Sequence, residues 1–125
     1  MLFDTDILIH SGKGHAGAIR EISQAVKRSV AVQTAMEFLQ GSTNSAMLKA
    51  RRSFLHSAEF EIQPLSPNID HRAMILIEEL SLSAGLRSAD ALIAATALEN
   101  DLELCTANGK HFKAIKDLKL RILKI

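Results

Sequence analysis

The chain has 125 residues, of which 47% are hydrophobic, 23% charged and 4% aromatic, a composition that excludes a disordered chain and indicates one globular domain. Fifteen Lys and Arg against fourteen Asp and Glu leave a net charge of +1, so a nucleic-acid partner would need a local basic patch or a metal ion. The single cysteine, Cys105, excludes an intrachain disulfide and a cysteine-based zinc site, and no segment reaches the ~20 apolar residues of a membrane-spanning helix. We therefore expect one domain over residues 1–125, in a reducing, cytoplasmic compartment.

Short apolar runs alternate with helical periodicity along the first half of the chain. In chain order, the pattern predicts a strand at 1–3, helices at 5–9 and 16–28, a strand at 30–32, a helix opened by a capping box at Thr34–Glu37, a helix at 46–57 and a strand at 60–62. The break between the last two helices falls at residues 41–44.

The second half of the chain continues the alternation of helices and strands. Ser66-Pro67 predicts the start of a helix over about 68–83, and Gly85 suits the left-handed position that ends it. A second helix opens at residues 88–90 and is apolar on nearly every face, which predicts burial between layers. Two further strands are predicted at 102–105 and 120–123. The repeated strand, helix, strand order predicts an α/β fold with a parallel sheet and helices on both faces.

Four polar side chains are expected beyond the carboxyl ends of these strands, where parallel sheets bind ligands. Asp4 ends the first strand, Glu37 follows the second, Asp90 opens a crossover helix and Asn108 follows the fourth strand. Three carboxylates at one edge repel each other and need a cation to stay ionised. Oxygen donors without a His or Cys cluster favour Mg²⁺ or Mn²⁺. A metal-activated water at such a site indicates phosphodiester hydrolysis.

Four segments, in order along nearly the whole chain, carry a family resemblance: LFDTDILI at 2–9, MEFLQG at 36–41, DALIAATA at 90–97 and TANGKHF at 106–112. Together they resemble the PIN-domain ribonucleases and, among these, the VapC-type toxins of bacterial toxin–antitoxin pairs. The resemblance implies a three-layer α/β/α sandwich around a parallel sheet of four or five strands. It also implies metal binding by Asp4, Glu37 and Asp90, cleavage of single-stranded RNA such as transfer or ribosomal RNA, a cognate antitoxin and a second copy of the chain as partners.

Two positions depart from the pattern of this family. Members often have Asn where Asp6 stands, and many have an acid where Asn108 stands. Asn108 can still bind a metal or orient a water through its carbonyl oxygen. It lowers the negative charge of the site, however, and leaves open whether one or two metal ions bind. Asn108 with Thr106 is expected to tune the metal-bound water, and Thr106 and Asp6 are expected to contact the metal ligands rather than the metal itself.

Cations near an acidic site are expected to hold the phosphate backbone of RNA. Arg87 and Lys110 are the candidates for this contact, and His111, beside Lys110, is a third. The other four histidines are expected at the surface or at helix ends. With no Trp or Tyr and five Phe, a broad platform for base stacking is not expected, so shape and backbone contacts should dominate recognition.

Each acid also has a purely structural interpretation. Asp4 could cap the short helix that follows it, and Thr34 with Glu37 satisfies a capping box without any metal. The helix dipole favours Asp90 in a first turn by ~0.3 to 1 kcal/mol.

Two other functions stay open from the residues alone. The first is a non-catalytic RNA- or protein-binding module that kept the fold while Asn108 weakened the site. The second is a phosphotransferase of the haloacid dehalogenase type that uses Asp4 as its nucleophile, because Asp4-Thr5-Asp6 resembles the nucleophile pair of that family. Against the second, Leu8 stands where that family has Thr or Val, and the only acid pair, Glu78-Glu79, lies in mid-helix.

Overall fold

Five parallel strands form a single sheet in the computed structural model, which describes residues 1–125. The strands are β1 (Leu2–Phe3), β2 (Arg28–Ala31), β3 (Phe60–Gln63), β4 (Leu104–Thr106) and β5 (Leu120–Ile122). Their order across the sheet is β3-β2-β1-β4-β5, and every neighbouring pair is parallel. The predicted parallel sheet is thus confirmed, with five strands.

Six helices connect the strands. They are α1 (Thr5–Gly12), α2 (Ala16–Gln24), α3 (Val32–Gln40), α4 (Ser45–Ser57), α5 (Pro67–Ala84) and α6 (Ser88–Glu99). A 3₁₀ turn at Gly109–His111, which the sequence pattern did not predict, follows β4. No helix is long and apolar enough to cross a membrane.

Two hydrophobic cores lie on opposite faces of the sheet. Neighbouring residues of one strand point to opposite faces, and Leu104 and Cys105 fall in different cores, as do Leu2 and Phe3. One core joins the sheet to α5 and α6, and the other joins it to α1, α2, α3 and α4. This arrangement confirms the three-layer α/β/α sandwich.

Helix α6 is the most deeply buried helix, as its apolar faces predicted. Five of its residues between Ala91 and Ala97 expose 2% or less of their surface, and a sixth, Thr96, is fully buried. The Thr96 hydroxyl donates to the carbonyl of Leu92 at 2.7 Å, so its polar group is satisfied inside the helix. The buried body of α6 fixes the position of Asp90 in its first turn.

The predicted capping box at the start of α3 is wrong. The helix begins at Val32, directly after the last paired residue of β2, and Ala31 holds the N-cap position without a side-chain hydrogen bond. Thr34 therefore lies inside the helix and is fully buried. The Thr34 hydroxyl and Oε1 of Glu37 have no hydrogen-bond partner. Helix capping therefore does not explain why a glutamate stands at position 37.

The predicted limits of α5 are confirmed because its signals are local. The Ser66 hydroxyl accepts a hydrogen bond from the amide of Ile69 at 3.2 Å, and Pro67 takes the first helical position. Gly85 ends the helix with φ of 68°, a conformation that favours glycine. By contrast, Arg28 was assigned to the end of α2 and instead begins β2.

Candidate active site

The predicted metal and water ligands line one open pocket at the carboxyl edge of the sheet. This acidic pocket has a volume of about 550 Å³. Its polar lining includes Asp4, Asp6, Glu37, Asp90 and Asn108. The parallel topology explains the convergence, because these residues follow β1, β2 and β4 or open the helix α6 at the same edge.

Asp4 is held by two different hydrogen bonds. Its Oδ1 accepts from the amide of Thr5 at 2.8 Å, as expected for a residue that caps α1. Its Oδ2 accepts from the hydroxyl of Thr106 at 2.8 Å. The capping interpretation of Asp4 is thus correct for one oxygen, while the other oxygen faces the end of β4.

Thr106 and the residues after it tie the loop beyond β4 to the acids of the first helix. Thr106 Oγ1 also lies 3.4 Å from Oδ2 of Asp6, and the amide of Ala107 donates to that same oxygen at 3.1 Å. The amide of Asn108 donates to Thr106 Oγ1 at 3.0 Å. The Thr106 hydroxyl therefore contacts Asp4 and Asp6 directly.

Burial makes this group of acids costly to ionise. Burial, followed by the charge of Asp6, raises the pKa of Asp4 to about 6, although the bonds from Thr106 and Thr5 act in the opposite direction. Burial also raises the pKa of Asp6, against the hydrogen bond from Ala107. Asp90 adds a smaller repulsion at Asp4. A cation in the pocket would relieve all three effects.

Buried carboxylate oxygens without partners are a second sign that a cation fits the pocket. Oδ1 of Asp6 and Oε1 of Glu37 are both buried and accept no hydrogen bond. Buried polar atoms are nearly always satisfied, and leaving one unsatisfied costs ~1–3 kcal/mol. These unsatisfied oxygens are hard donors of the type that Mg²⁺ and Mn²⁺ bind.

The side chains do not form a closed metal cage. No group of three or more His, Cys, Asp or Glu residues is arranged so that it could hold a metal ion unaided. This arrangement is compatible with Mg²⁺, which keeps several waters and typically uses one or two carboxylates together with phosphate oxygens of a substrate.

Arg87 and Lys110, the two predicted substrate contacts, differ in their position relative to the acidic pocket. Arg87 lines the acidic pocket at the start of α6 and is exposed. Lys110 is exposed on the 3₁₀ turn but does not line the pocket, whereas the next residue, His111, does. Nδ1 of His111 lies 3.1 Å from Oδ2 of Asp90. The sequence indicated that His111 would lie near the rim, but its contact with Asp90 was not predicted.

Comparisons with known proteins agree with this architecture. The family model of the PIN domain matches residues 1–118. A chain of a toxin-antitoxin complex from Klebsiella pneumoniae is 31% identical, with a TM-score of 0.84 over 99% of this chain and 98% of that chain. No curated protein sequence gives a significant match.

Two solved structures of lower sequence identity are similar to this chain in fold. A chain of VapBC2 from Rickettsia felis, bound to a DNA fragment from its promoter, is 21% identical, with a TM-score of 0.82 over 98% of each chain. A chain of VapBC-1 from nontypeable Haemophilus influenzae is 23% identical, with a TM-score of 0.81 over 97% of this chain and 96% of that chain. With 118 of its 125 residues covered by the family model, the chain belongs to the PIN domain family.

Proposed function

We propose that this PIN-domain protein is a metal-dependent endoribonuclease that acts as the toxin of a toxin–antitoxin pair. The observation that carries the proposal is the set of buried, unpartnered carboxylate oxygens of Asp6 and Glu37 in the pocket that also holds Asp4 and Asp90. An acidic pocket of this kind has no evident structural purpose, because unneutralised charge at a buried edge destabilises the fold.

In this proposal Asp4, Glu37 and Asp90 hold Mg²⁺ or Mn²⁺, and Asn108 contributes its carbonyl oxygen or orients a water. When bound, the ion would make a water more acidic and offset negative charge on the scissile phosphate. Thr106 fixes Asp4 by donating its hydroxyl hydrogen, and the backbone amide of Ala107 fixes Asp6.

RNA is the proposed substrate, held mainly through its phosphate backbone. The acidic pocket is open, so an extended strand can enter it, and Arg87 at its rim is a free cation for a phosphate. Lys110, on the adjacent turn, would contact phosphates outside the pocket rather than at the reacting centre. The absence of Trp and Tyr supports backbone contacts over base stacking, with transfer or ribosomal RNA as the proposed targets.

We also propose a cognate antitoxin that covers the acidic pocket, a second copy of the chain as a further partner, and a cytoplasmic location. The support for the antitoxin is the 31% identical chain from Klebsiella pneumoniae, whose structure is that of a toxin-antitoxin complex.

Cleavage of transfer RNA by the purified chain tests the proposal. We expect Mg²⁺-dependent cleavage that EDTA stops and that Asp90→Asn abolishes. Asp101→Asn is the matched control, because Asp101 is a largely exposed acid at the opposite edge of the sheet, and it should cleave like the wild type. Melting temperatures establish that each variant is folded.

Three outcomes would overturn the proposal in different ways. Equal cleavage by the wild type and Asp90→Asn would remove the assigned site. A folded wild type that neither cleaves RNA nor binds millimolar Mn²⁺ would favour the non-catalytic binding module instead. A covalent phosphate on Asp4 would favour the phosphotransferase, which the match to the PIN family model otherwise leaves without support.

A further inference from the structure

We infer that His111 is a positioning residue that holds Asp90 in the orientation needed to bind the metal ion. This inference deepens the proposed metal-dependent nuclease function and rests on it. The observation is the 3.1 Å contact between Nδ1 of His111 and Oδ2 of Asp90, with 35% and 18% of the two side chains exposed.

Comparison with the other acids of the pocket indicates the role of this contact. Oδ2 of Asp4 accepts from the Thr106 hydroxyl, and Oδ2 of Asp6 accepts from the amide of Ala107. For Asp90 the His111 contact is the only side-chain hydrogen bond in the structure. Each pocket aspartate is therefore oriented by a donor from the segment at or after the end of β4, and His111 is the donor for Asp90.

The 3₁₀ turn holds His111 firmly in place. Phe112 follows it, is 1% exposed, and donates its amide to the carbonyl of Gly109 at 3.0 Å. Gly109 packs so closely on β5 that a Cβ there would lie 2.2 Å from Cδ1 of Ile122. Asn108 directly precedes this turn, so one short segment positions the backbone of both Asn108 and the partner of Asp90. The backbone position of His111 is thus set by the fold.

The chemistry of the contact also fixes which atom carries the hydrogen. An ionised carboxylate can only accept, so Nδ1 of His111 is the donor. Side chains that hydrogen-bond to metal ligands orient them, and their loss typically lowers metal affinity or activity about 10- to 100-fold. A free Asp90 carboxylate could rotate away from the pocket, whereas the His111 contact leaves Oδ1 available for the ion.

Calorimetric titration of Mn²⁺ into folded variants tests this inference with a readout other than catalysis. We expect His111→Ala to weaken Mn²⁺ binding about 10- to 100-fold. His111→Asn, whose amide nitrogen can replace Nδ1 as the donor, should recover most of the affinity. His71→Ala is the control, because His71 is exposed on α5, outside the acidic pocket, and should bind Mn²⁺ like the wild type.

A double variant shows whether His111 acts through Asp90. Asp90→Asn should abolish most of the binding, and adding His111→Ala to it should have no further effect. RNA cleavage should fall through kcat, with KM for RNA nearly unchanged. If Asp90→Asn loses Mn²⁺ binding while His111→Ala keeps it, the inference is wrong and the proposed function stands. If wild type and Asp90→Asn bind Mn²⁺ equally, the proposed site itself is wrong.

Discussion

Two aspartates at opposite edges of the sheet have opposite electrostatic environments. Asp101 lies between α6 and β4, where it accepts a hydrogen bond from Lys119 at 2.8 Å, and this bond lowers its pKa. Asp4 lies at the carboxyl edge, where burial raises its pKa to about 6. The fold therefore neutralises an acid at one edge and leaves the acids of the other edge in need of a cation.

The hydrogen bonding of buried and partly buried oxygens also differs between the two edges. Near the amino edge, the guanidinium of Arg28 donates to the carbonyls of Ile22 at 2.7 Å and Ala58 at 2.9 Å, which satisfies the ends of two helices. At the carboxyl edge, Oδ1 of Asp6 and Oε1 of Glu37 are buried without a partner. The amino edge thus satisfies these polar groups within the protein, whereas the carboxyl edge keeps two oxygens that can accept a ligand.

Replacement of Asp4 should have the largest effects on activity and stability. We expect Asp4→Asn to lower RNA cleavage by more than about 100-fold, since even residues that only contact metal ligands contribute 10- to 100-fold. The same variant should be more stable at pH 7.5 without metal, by about 3 kcal/mol in the free energy of unfolding, because a buried charge is removed.

The pH dependence of this gain follows from the direction of the pKa shift. Because the folded pKa of Asp4 is raised to about 6, the folded protein binds the proton more tightly than the unfolded chain, and the stability of the wild type falls as pH rises from about 4 to 6. Urea denaturation of the wild type and Asp4→Asn at pH 4 and pH 7.5 measures how the free energy of unfolding of each protein changes with pH. If it changes equally in the two proteins, the assigned environment of Asp4 is wrong.

Thr106→Val should have an intermediate effect. Valine keeps the shape but removes the hydroxyl that donates to Asp4, so cleavage should fall about 10- to 100-fold. The loss of this donor should also raise the pKa of Asp4 further and move the acid limb of the pH–rate profile to higher pH. Thr96→Val is the control, because that buried hydroxyl bonds only within α6. A Thr106→Val profile that matches the wild type would exclude this role.

The smallest effect is expected at the amino edge. Lys119→Gln removes the partner of Asp101, but both side chains are largely exposed and water screens the pair. Cleavage and melting temperature should therefore stay within experimental error of the wild type. A loss of activity in Lys119→Gln would show that the two edges of the sheet are coupled.

Much of the fold could be predicted because its signals are local or periodic. Ser66, Pro67 and Gly85 determine the ends of α5 through short-range bonds, and the apolar faces of α6 predict its burial. The gathering of Asp4 and Asp90 in one pocket follows from parallel topology alone. These features require no knowledge of side-chain contacts between distant segments.

The errors arise where tertiary contacts override local patterns. The spacing of Thr34 and Glu37 satisfies a capping box, but strand pairing ends at Ala31 and the helix starts earlier. The contact between His111 and Asp90 joins residues 21 positions apart and depends on the 3₁₀ turn, which has no strong sequence signal.

Calorimetric titration of Mn²⁺ into the wild-type protein at pH 6, in two buffers of different ionisation enthalpy, measures whether the acidic pocket binds a cation in exchange for protons. Because the pKa of Asp4 is raised to about 6, part of the protein carries a proton there at pH 6. Binding of the ion to the acidic pocket should therefore release a fraction of a proton per ion. Absence of binding at millimolar Mn²⁺, or binding with no proton released, would exclude this pocket as the cation site.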